Sequence, residues 1–528
     1  MKYITAAGIA IILAIGTLSA QEAASAPGQT TDLEGFIKRS DKNQSTLIEN
    51  SNEILQKLGG LEKALGGGKD TAPVEAPATS DALEKRLGEL EAKLAAAPAA
   101  TASSPAAPLA DEVAKKLQDN MNMIWIIVTA AMVFFMKAGF CMLELGFTRA
   151  KNAINICMKN FLDFPVAALA FLFVGFGLMF GESYNGWFGQ GPFWISDIPG
   201  NNGLWSFWFF QLVFCGTAAT IISGALAERT KFMGYLIYIA VLCAVIYPIA
   251  GHWVWGSLGG PFGFGGTPGW LEAKGFKDFA GSTVVHCIGG ASSLAGILVV
   301  GSRIGRFKAD GTPVLIAGHN LPLATLGTFI LWFGWYGFNP GSTLTAGAEI
   351  GRIAVNTTIA PCSGAIIAML VMWLFQGRPD IGIALNGALG GLVAITANCN
   401  VVTPASAVLI GMVAGLIATF AALLLERLRL DDPVGAVPVH LSNGLWGTLS
   451  ESLFNEAGFN IDTFYIQTLG TLSVTVFVFI CAFIVFKLID LVIGLRVSDA
   501  DQEMGLDFSE HSGAAYPDFV TTDQGTVR

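Results

Sequence analysis

Two histidines carry the chemistry for which this sequence can be read. His286 lies in Asp278-Phe-Ala-Gly281-Ser-Thr-Val-Val285-His286-Cys-Ile-Gly-Gly290, and His440 in Asp432-Pro-Val-Gly435-Ala-Val-Pro-Val439-His440-Leu-Ser-Asn-Gly444. Asp, Gly, Val, His and Gly recur at the same five offsets. Both histidines sit in apolar surroundings, where an ionisable side chain is costly and by default a functional candidate. A neutral imidazole donates from one ring nitrogen and accepts at the other, so a facing pair can bond to each other and leave two nitrogens for a passing substrate. Either histidine alone reads equally well as a side chain bonded between helices; the matched pair favours the functional reading. With a helix running on from each aspartate, the histidine stands about 12 Å further along, near mid-bilayer.

Aromatic residues form the second constellation. Leu331-Trp-Phe-Gly-Trp335-Tyr-Gly-Phe338-Asn339-Pro-Gly-Ser342 and Gly251-His252-Trp253-Val-Trp255-Gly256 each close an apolar stretch. Such aromatics commonly form an interfacial belt. Alternatively, they make a cation–π vestibule for a small cation, with the Ser342 hydroxyl as an acceptor. On spacing alone Phe209, Phe210 and Phe214 are core residues.

The elements that must hold these groups are membrane helices. Of 528 residues, 53% are hydrophobic and only 13% charged, with a mean hydropathy of +0.57; a soluble domain has about a quarter of its residues charged. The 63 glycines suit closely packed membrane helices, because small residues let backbones approach. A formal charge of −10 argues against a nucleic-acid partner, which needs a basic face. The eight cysteines contain no CxxC pair and read as small buried hydrophobes, except Cys399 in Asn-Cys-Asn, which is expected to be exposed. No nucleotide-binding loop, cofactor site or metal site is indicated, and no nucleophile motif supports an enzyme.

Eleven apolar spans are long enough to cross a bilayer: 122–146, 161–181, 205–227, 231–255, 279–301, 321–339, 348–376, 381–397, 403–424, 434–454 and 466–493. Arg149, Lys151 and Lys159, then Arg229 and Lys231, Arg303, Arg306 and Lys308, Arg378, Arg427 and Arg429, and finally Lys487 and Arg496 all fall on one side. The positive-inside rule therefore puts the amino terminus outside and the carboxyl terminus inside. The two histidine motifs open the fifth and tenth spans, which run in opposite senses, as in an inverted-repeat transporter with its site at the midplane. The fold class is thus an all-α polytopic membrane protein of inverted five-helix repeats plus a final helix.

Four regions follow. Residues 1–20, with Lys2 and a short apolar run, read as a signal peptide. Residues 21–119 form an extracytoplasmic helical or low-complexity extension. In it, Ile54, Leu58, Leu61 and Leu65, and then Leu83, Leu87, Leu90 and Leu94, show coiled-coil spacing. Residues 120–495 are the membrane domain, and 496–528 a cytoplasmic tail too poor in apolar residues for a core of its own.

Over about residues 120–517 the chain resembles the ammonium transporter (Amt/MEP, distantly Rh) family. The resemblance rests on Arg149-Ala-Lys151-Asn152, Gly224-Ala-Leu-Ala227-Glu228-Arg229, Asp278 to His286, His319-Asn320-Leu321-Pro322, Gly334 to Ser342, Asp431-Asp432-Pro433 to His440 and Gly505-Leu506-Asp507. It implies a homotrimer in the cell (inner) membrane with one pore per subunit. An outer recruitment site falls on Phe214, Trp255 and Ser342, a stacked gate on Phe214 and Phe338, and the pore pair on His286 and His440, with Asp278 as structural support. The implied substrate is ammonium, crossing as ammonia, and a PII-type regulator is implied at the tail. An ammonium sensor signalling through a partner is the alternative.

Overall fold

The computed structural model describes residues 106–193 and 201–517. The expected signal peptide (residues 1–20), the expected heptad segments and residues 518–528 lie outside the described residues. Within them the chain is all-α apart from a small hairpin, β1 (Ser183–Tyr184) and β2 (Phe188–Gly189).

Among the described residues, nine helices are long and apolar enough to cross a membrane. They are α1 (Ala106–Phe147), α2 (Ala150–Phe180), α3 (Asn202–Ala225), α4 (Phe232–Phe262), α5 (Ser282–Val300), α6 (Leu321–Thr343), α7 (Ile350–Gln376), α9 (Pro404–Arg427) and α11 (Ile461–Ile493). Two shorter helical segments fall in the gaps: α8 (Ile381–Thr396) and α10, made of the π-helical Val437–Ser442 followed by Asn443–Phe454. The tail adds α12 (Asp499–Met504) and α13 (Leu506–His511).

Side-chain caps start several of these helices, each occupying an orphan N–H of the first turn. The carboxamide of Asn320 accepts from Leu323 N at the start of α6, Asp380 from Ile383 N at α8, and Thr403 from Ser406 N at α9. Helices α7, α8 and α9 pack against one another through small residues. A Cβ on Gly364 or Gly387 would strike the other's helix backbone or its neighbour Ala368, so these helices meet at backbone distance, as expected where lipid supplies no hydrophobic drive. Outward-facing Phe329, Leu374, Phe375 and Leu491 are exposed, which suits a surface solvated by acyl chains.

Two expectations need correction. Lys159, expected in a basic loop, is fully buried because α2 begins at Ala150 and carries it into the helix. Cys399, expected to be exposed, is also fully buried. Its turn is folded inward beneath Asn356, whose amide donates to Cys399 O at 2.9 Å and to Val402 O at 2.8 Å. The exposed thiols are instead Cys157 and Cys362.

The described part of the tail packs on the start of α2 and the turn before it. Asp507 accepts from Asn155 N (2.9 Å), Leu506 N donates to Asn152 Oδ1 (2.9 Å), and Lys151 Nζ donates to the carbonyls of Gln502 and Glu503. His319 bonds Thr148 O through Nδ1 and Tyr516 through Nε2, so the His319 to Pro322 motif ties the start of α6 to both α1 and the tail.

Candidate functional site

The echo between the two histidine motifs is a repeated piece of backbone engineering. In the first, Asp278 Oδ1 accepts from Gly281 N (3.0 Å), while Oδ2 accepts from Thr283 N and Val284 N (both 2.8 Å). In the second, Asp432 Oδ1 accepts from Gly435 N (3.0 Å) and Oδ2 from Val437 N (2.8 Å). Each aspartate caps the helix that follows, and each glycine turns the chain into it with a left-handed φ, +109° at Gly281 and +80° at Gly435, a conformation that favours glycine. The aspartates thus precede their helices, so each histidine stands within the first two turns rather than eight helical residues from its cap. Both helices open with a π-helical stretch, Ser282–Cys287 and Val437–Ser442, a feature frequent at functional sites. The final matched glycines mark where α5 and α10 cross: a Cβ on Gly290 would strike the Leu441 backbone, and one on Gly444 would lie 2.6 Å from Ser282 O.

That crossing brings the histidines together. His286 Nδ1 and His440 Nδ1 are 3.2 Å apart, with ring centroids at 5.2 Å and planes 20° from parallel. One Nδ1 must carry the proton and the other accept it, so both Nε2 atoms are left for other partners. His286 Nε2 is buried with no hydrogen-bond partner among the described residues. Trp335 lies against the other face of His286 at 5.2 Å and 16° and is itself fixed by Nε1 donating to Thr396 Oγ1 (2.9 Å).

On one side of the pair stand Phe338, 5.5 Å from the His286 ring, and Phe214, stacked on Phe338 at 4.0 Å and 16°. Beyond them is a pocket lined by Phe210, Phe214, Trp255 and Ser342, with Gln211 at its edge. Phe214 and Trp255 meet edge to face at 6.2 Å. The Trp255 indole donates to the Asp278 carbonyl at 2.8 Å, so the aspartate that caps α5 also orients the pocket's tryptophan. Ser342 Oγ donates to Phe338 O (2.8 Å), which turns its lone pairs outward as acceptors. The structure therefore brings all seven candidate residues, Phe214, Trp255, Asp278, His286, Phe338, Ser342 and His440, into one continuous run of contacts. His252, by contrast, is occupied at both ring nitrogens, by Met179 O and Ser183 Oγ, each at 2.7 Å.

On the other side of the pair, a cavity is lined by Phe140, Leu143, Ile221, Leu389 and Val439 together with Glu144, Asn386 and His440. Sequence reasoning missed Glu144, and with it Lys137 and Asp163, which pair at 2.7 Å inside the bundle. The signal was present: ionisable residues inside the apolar runs of α1 and α2 meet the same criterion that singled out the histidines.

Near the basic end of the helices lies an ion network that charge counting alone had assigned to topology. Glu228 accepts from Arg149 N (2.6 Å) and Arg149 Nε (2.7 Å), and Arg303 grips Asp431 through N, Nε and Nη2 at 2.8–2.9 Å. Arg229 Nη2 donates to Asp431 O at 2.6 Å. Burial acts to raise the Asp431 carboxyl, but Arg229 and Arg303 outweigh it and hold it well below the usual carboxylate range. Glu228 is lowered in the same way, with Arg303 and Arg149 overcoming burial.

A polytopic helical bundle with a histidine pair between an aromatic pocket and an inner cavity has the form of a small-solute transporter. The model described as the Ammonium Transporter Family matches residues 124–516, and the chain belongs to that family. It is 43% identical over 441 residues to the ammonium transporter Amt2 of Archaeoglobus fulgidus, covering 78% of this chain and 92% of that one. It is 36% identical over 440 residues to ammonium transporter 1 member 3 of Solanum lycopersicum, covering 75% and 93%. Among solved structures it is similar to a sensor Amt protein (TM-score 0.72, 42% identity, 75% of this chain and all of that one). It is also similar to Mep2 of Candida albicans (TM-score 0.65, 26% identity, 72% and 87%).

Proposed function

We propose that this protein conducts ammonium nitrogen across the cell (inner) membrane through one pore per subunit of a homotrimer, with its amino terminus outside and its tail in the cytoplasm. Ammonium is concentrated in the pocket of Phe214, Trp255 and Ser342 by cation–π attraction and the serine acceptor. It gives up its proton near the stacked Phe214 and Phe338, because a bare cation in an apolar lumen costs many kcal/mol. Ammonia then crosses at His286 and His440, which offer it acceptor and donor nitrogens in turn. Eleven membrane-crossing segments in two inverted halves plus α11 underlie this pore, and a PII-type regulator binds at the tail.

The single observation that carries this reading is the buried His286–His440 pair, with an unpartnered ring nitrogen, directly behind the Phe214–Phe338 stack. The test is ammonium flux and charge movement in liposomes reconstituted with the full chain. A saturable ammonium response absent from empty liposomes supports the proposal; none at any gradient rejects it. The similarity to a solved sensor Amt protein favours a second reading, ammonium sensing through a partner, which predicts ammonium binding without useful flux.

A further inference from the structure

Away from the pore, the seam between α1 and α2 brings two sulfurs together. Polar contacts cross that seam: Lys137 pairs with Asp163 (2.7 Å) and Glu144 Oε2 accepts from Asn160 Nδ2 (3.0 Å). Between Lys137 and Glu144 on α1, the Cys141 thiol donates to Cys157 Sγ at 3.8 Å. Cys141 is half-buried and Cys157 is exposed. Cys157 stands two residues past Asn155, whose N–H donates to Asp507 Oδ1 (2.9 Å) and whose side chain bonds His511 Nε2 (3.0 Å). Cys141 follows Phe140, whose ring lies 6.1 Å from that of His440. The sulfur pair is thus flanked by a residue beside the pore histidines on one helix and by the tail's anchor on the other. Cys362, the exposed thiol of α7, makes no sulfur contact among the described residues and provides a comparison.

A disulfide holds its sulfurs about 2.05 Å apart, so closing the 3.8 Å gap asks for about 1.8 Å of sulfur movement, which χ1 rotation and a slight helix shift can share. Both cysteines lie toward the basic end of their helices, where Arg149 and Lys151 stand. Under the proposed topology that end faces the cytoplasm, where thiols are kept reduced and a disulfide is a transient, sensing device. We propose that Cys141 and Cys157 form a redox modification site, at which a peroxide makes a disulfide that staples α1 to α2 and a small thiol removes it. Cys157, the more exposed, loses its proton and attacks a peroxide oxygen. The O–O bond breaks, an S–O bond forms, and the departing hydroxide takes up a proton as water, leaving a sulfenic acid. Cys141 then attacks the Cys157 sulfur; the S–S bond forms, the S–O bond breaks, and a second water leaves with the Cys141 proton. Two thiols are oxidised by two electrons in all, and one hydrogen peroxide is reduced to two waters. Reversal runs by thiol exchange through a mixed disulfide, and the small thiol ends as its own disulfide.

The site rests on the sulfur geometry and not on the transport reading. Its test uses the full chain in liposomes, treated with hydrogen peroxide, alkylated and digested for mass spectrometry. Peptides joined through Cys141 and Cys157 are expected, and they separate after dithiothreitol, while Cys362 enters no disulfide within the chain. Two thiols still free to be alkylated, Cys157 carried on to sulfinic acid, or Cys157 joined to a second subunit overturns the site. Cys141→Ser removes the resolving thiol, so a Cys157 sulfenic acid should persist and be captured by dimedone about tenfold more than in the unmodified protein. Equal capture in the two proteins overturns the role of Cys141. The staple is read separately: the oxidised unmodified protein should show a higher midpoint of thermal unfolding that dithiothreitol reverses, and oxidised Cys157→Ser should show no rise. An unchanged midpoint in protein carrying the disulfide overturns the staple.

Discussion

Replacing Asp278 by Asn separates the capping role of this residue from mere polarity. The carboxylate accepts three backbone N–H groups, from Gly281, Thr283 and Val284. An asparagine oxygen can keep the bonds to Thr283 and Val284, but its amide then presents hydrogens to Gly281 N–H. One buried donor is left unmet, which costs about 1–3 kcal/mol, and the surviving bonds lose their charge assistance. The expected destabilisation is about 2–4 kcal/mol, read as a lower midpoint of thermal unfolding in detergent. A second effect is specific to this cap, because Asp278 O also holds the Trp255 indole. Loosening Trp255 forfeits part of a cation–π attraction of about 0.5–2 kcal/mol, or about 2- to 30-fold in half-saturating ammonium. Asp432→Asn is the internal control, since it weakens the matching cap on α10 while leaving Trp255 untouched: stability should fall without the change in affinity. Equal affinity shifts in both variants, or wild-type stability in Asp278→Asn, would refute the reasoning.

Trp255→Leu keeps apolar bulk but removes most of the cation–π attraction, so the half-saturating concentration for ammonium should rise by about 2- to 30-fold in a concentration series on liposomes, with the maximal rate less affected. Arg303→Ala removes one of two cationic partners from each of the buried carboxylates Glu228 and Asp431, which keep Arg149 and Arg306, and should cost less than the about 3–5 kcal/mol of a buried charge left wholly unpaired, measured as a lower midpoint of thermal unfolding. Because Glu228 and Asp431 titrate below their usual range, their contribution is complete above the unfolded values near about 4 and is lost only as pH falls below them. A melting series should therefore be flat between about pH 5 and 8 as far as this network is concerned. Removing residues 496–528 should leave a conducting pore that no longer answers to a PII-type regulator, as read by flux with and without the regulator; regulator binding that survives the deletion would assign the docking elsewhere.

Much of the site was legible because membranes make polarity expensive. His286 and His440 stood out for that reason, and the matched Asp and Gly offsets predicted a shared local structure even though the cap and crossing roles needed coordinates. Phe214 was illegible from spacing, since a stacked phenylalanine in a lumen and one in a core follow the same helical period; only the resemblance pointed to it. Glu144 and Asn386 were missed because nothing in sequence says that a residue of α1 and one of α8 face the same cavity as His440. The basic residues were read only as a topology signal, and the carboxylates that pair with Arg149 and Arg303 lie far away in sequence, so the buried network emerged only when the loops were folded together. Lys159 was misplaced because helix α2 begins at Ala150, well before its apolar run does.

The most direct test of the pore is ammonium flux through reconstituted full-length protein carrying His286→Ala, His440→Ala or both, with folding checked by chromatography and thermal melting. A 3.2 Å imidazole pair acting as one conducting unit predicts that each single variant loses or sharply alters conduction about as much as the double variant does, while all three remain folded. Wild-type flux in both single variants would contradict it.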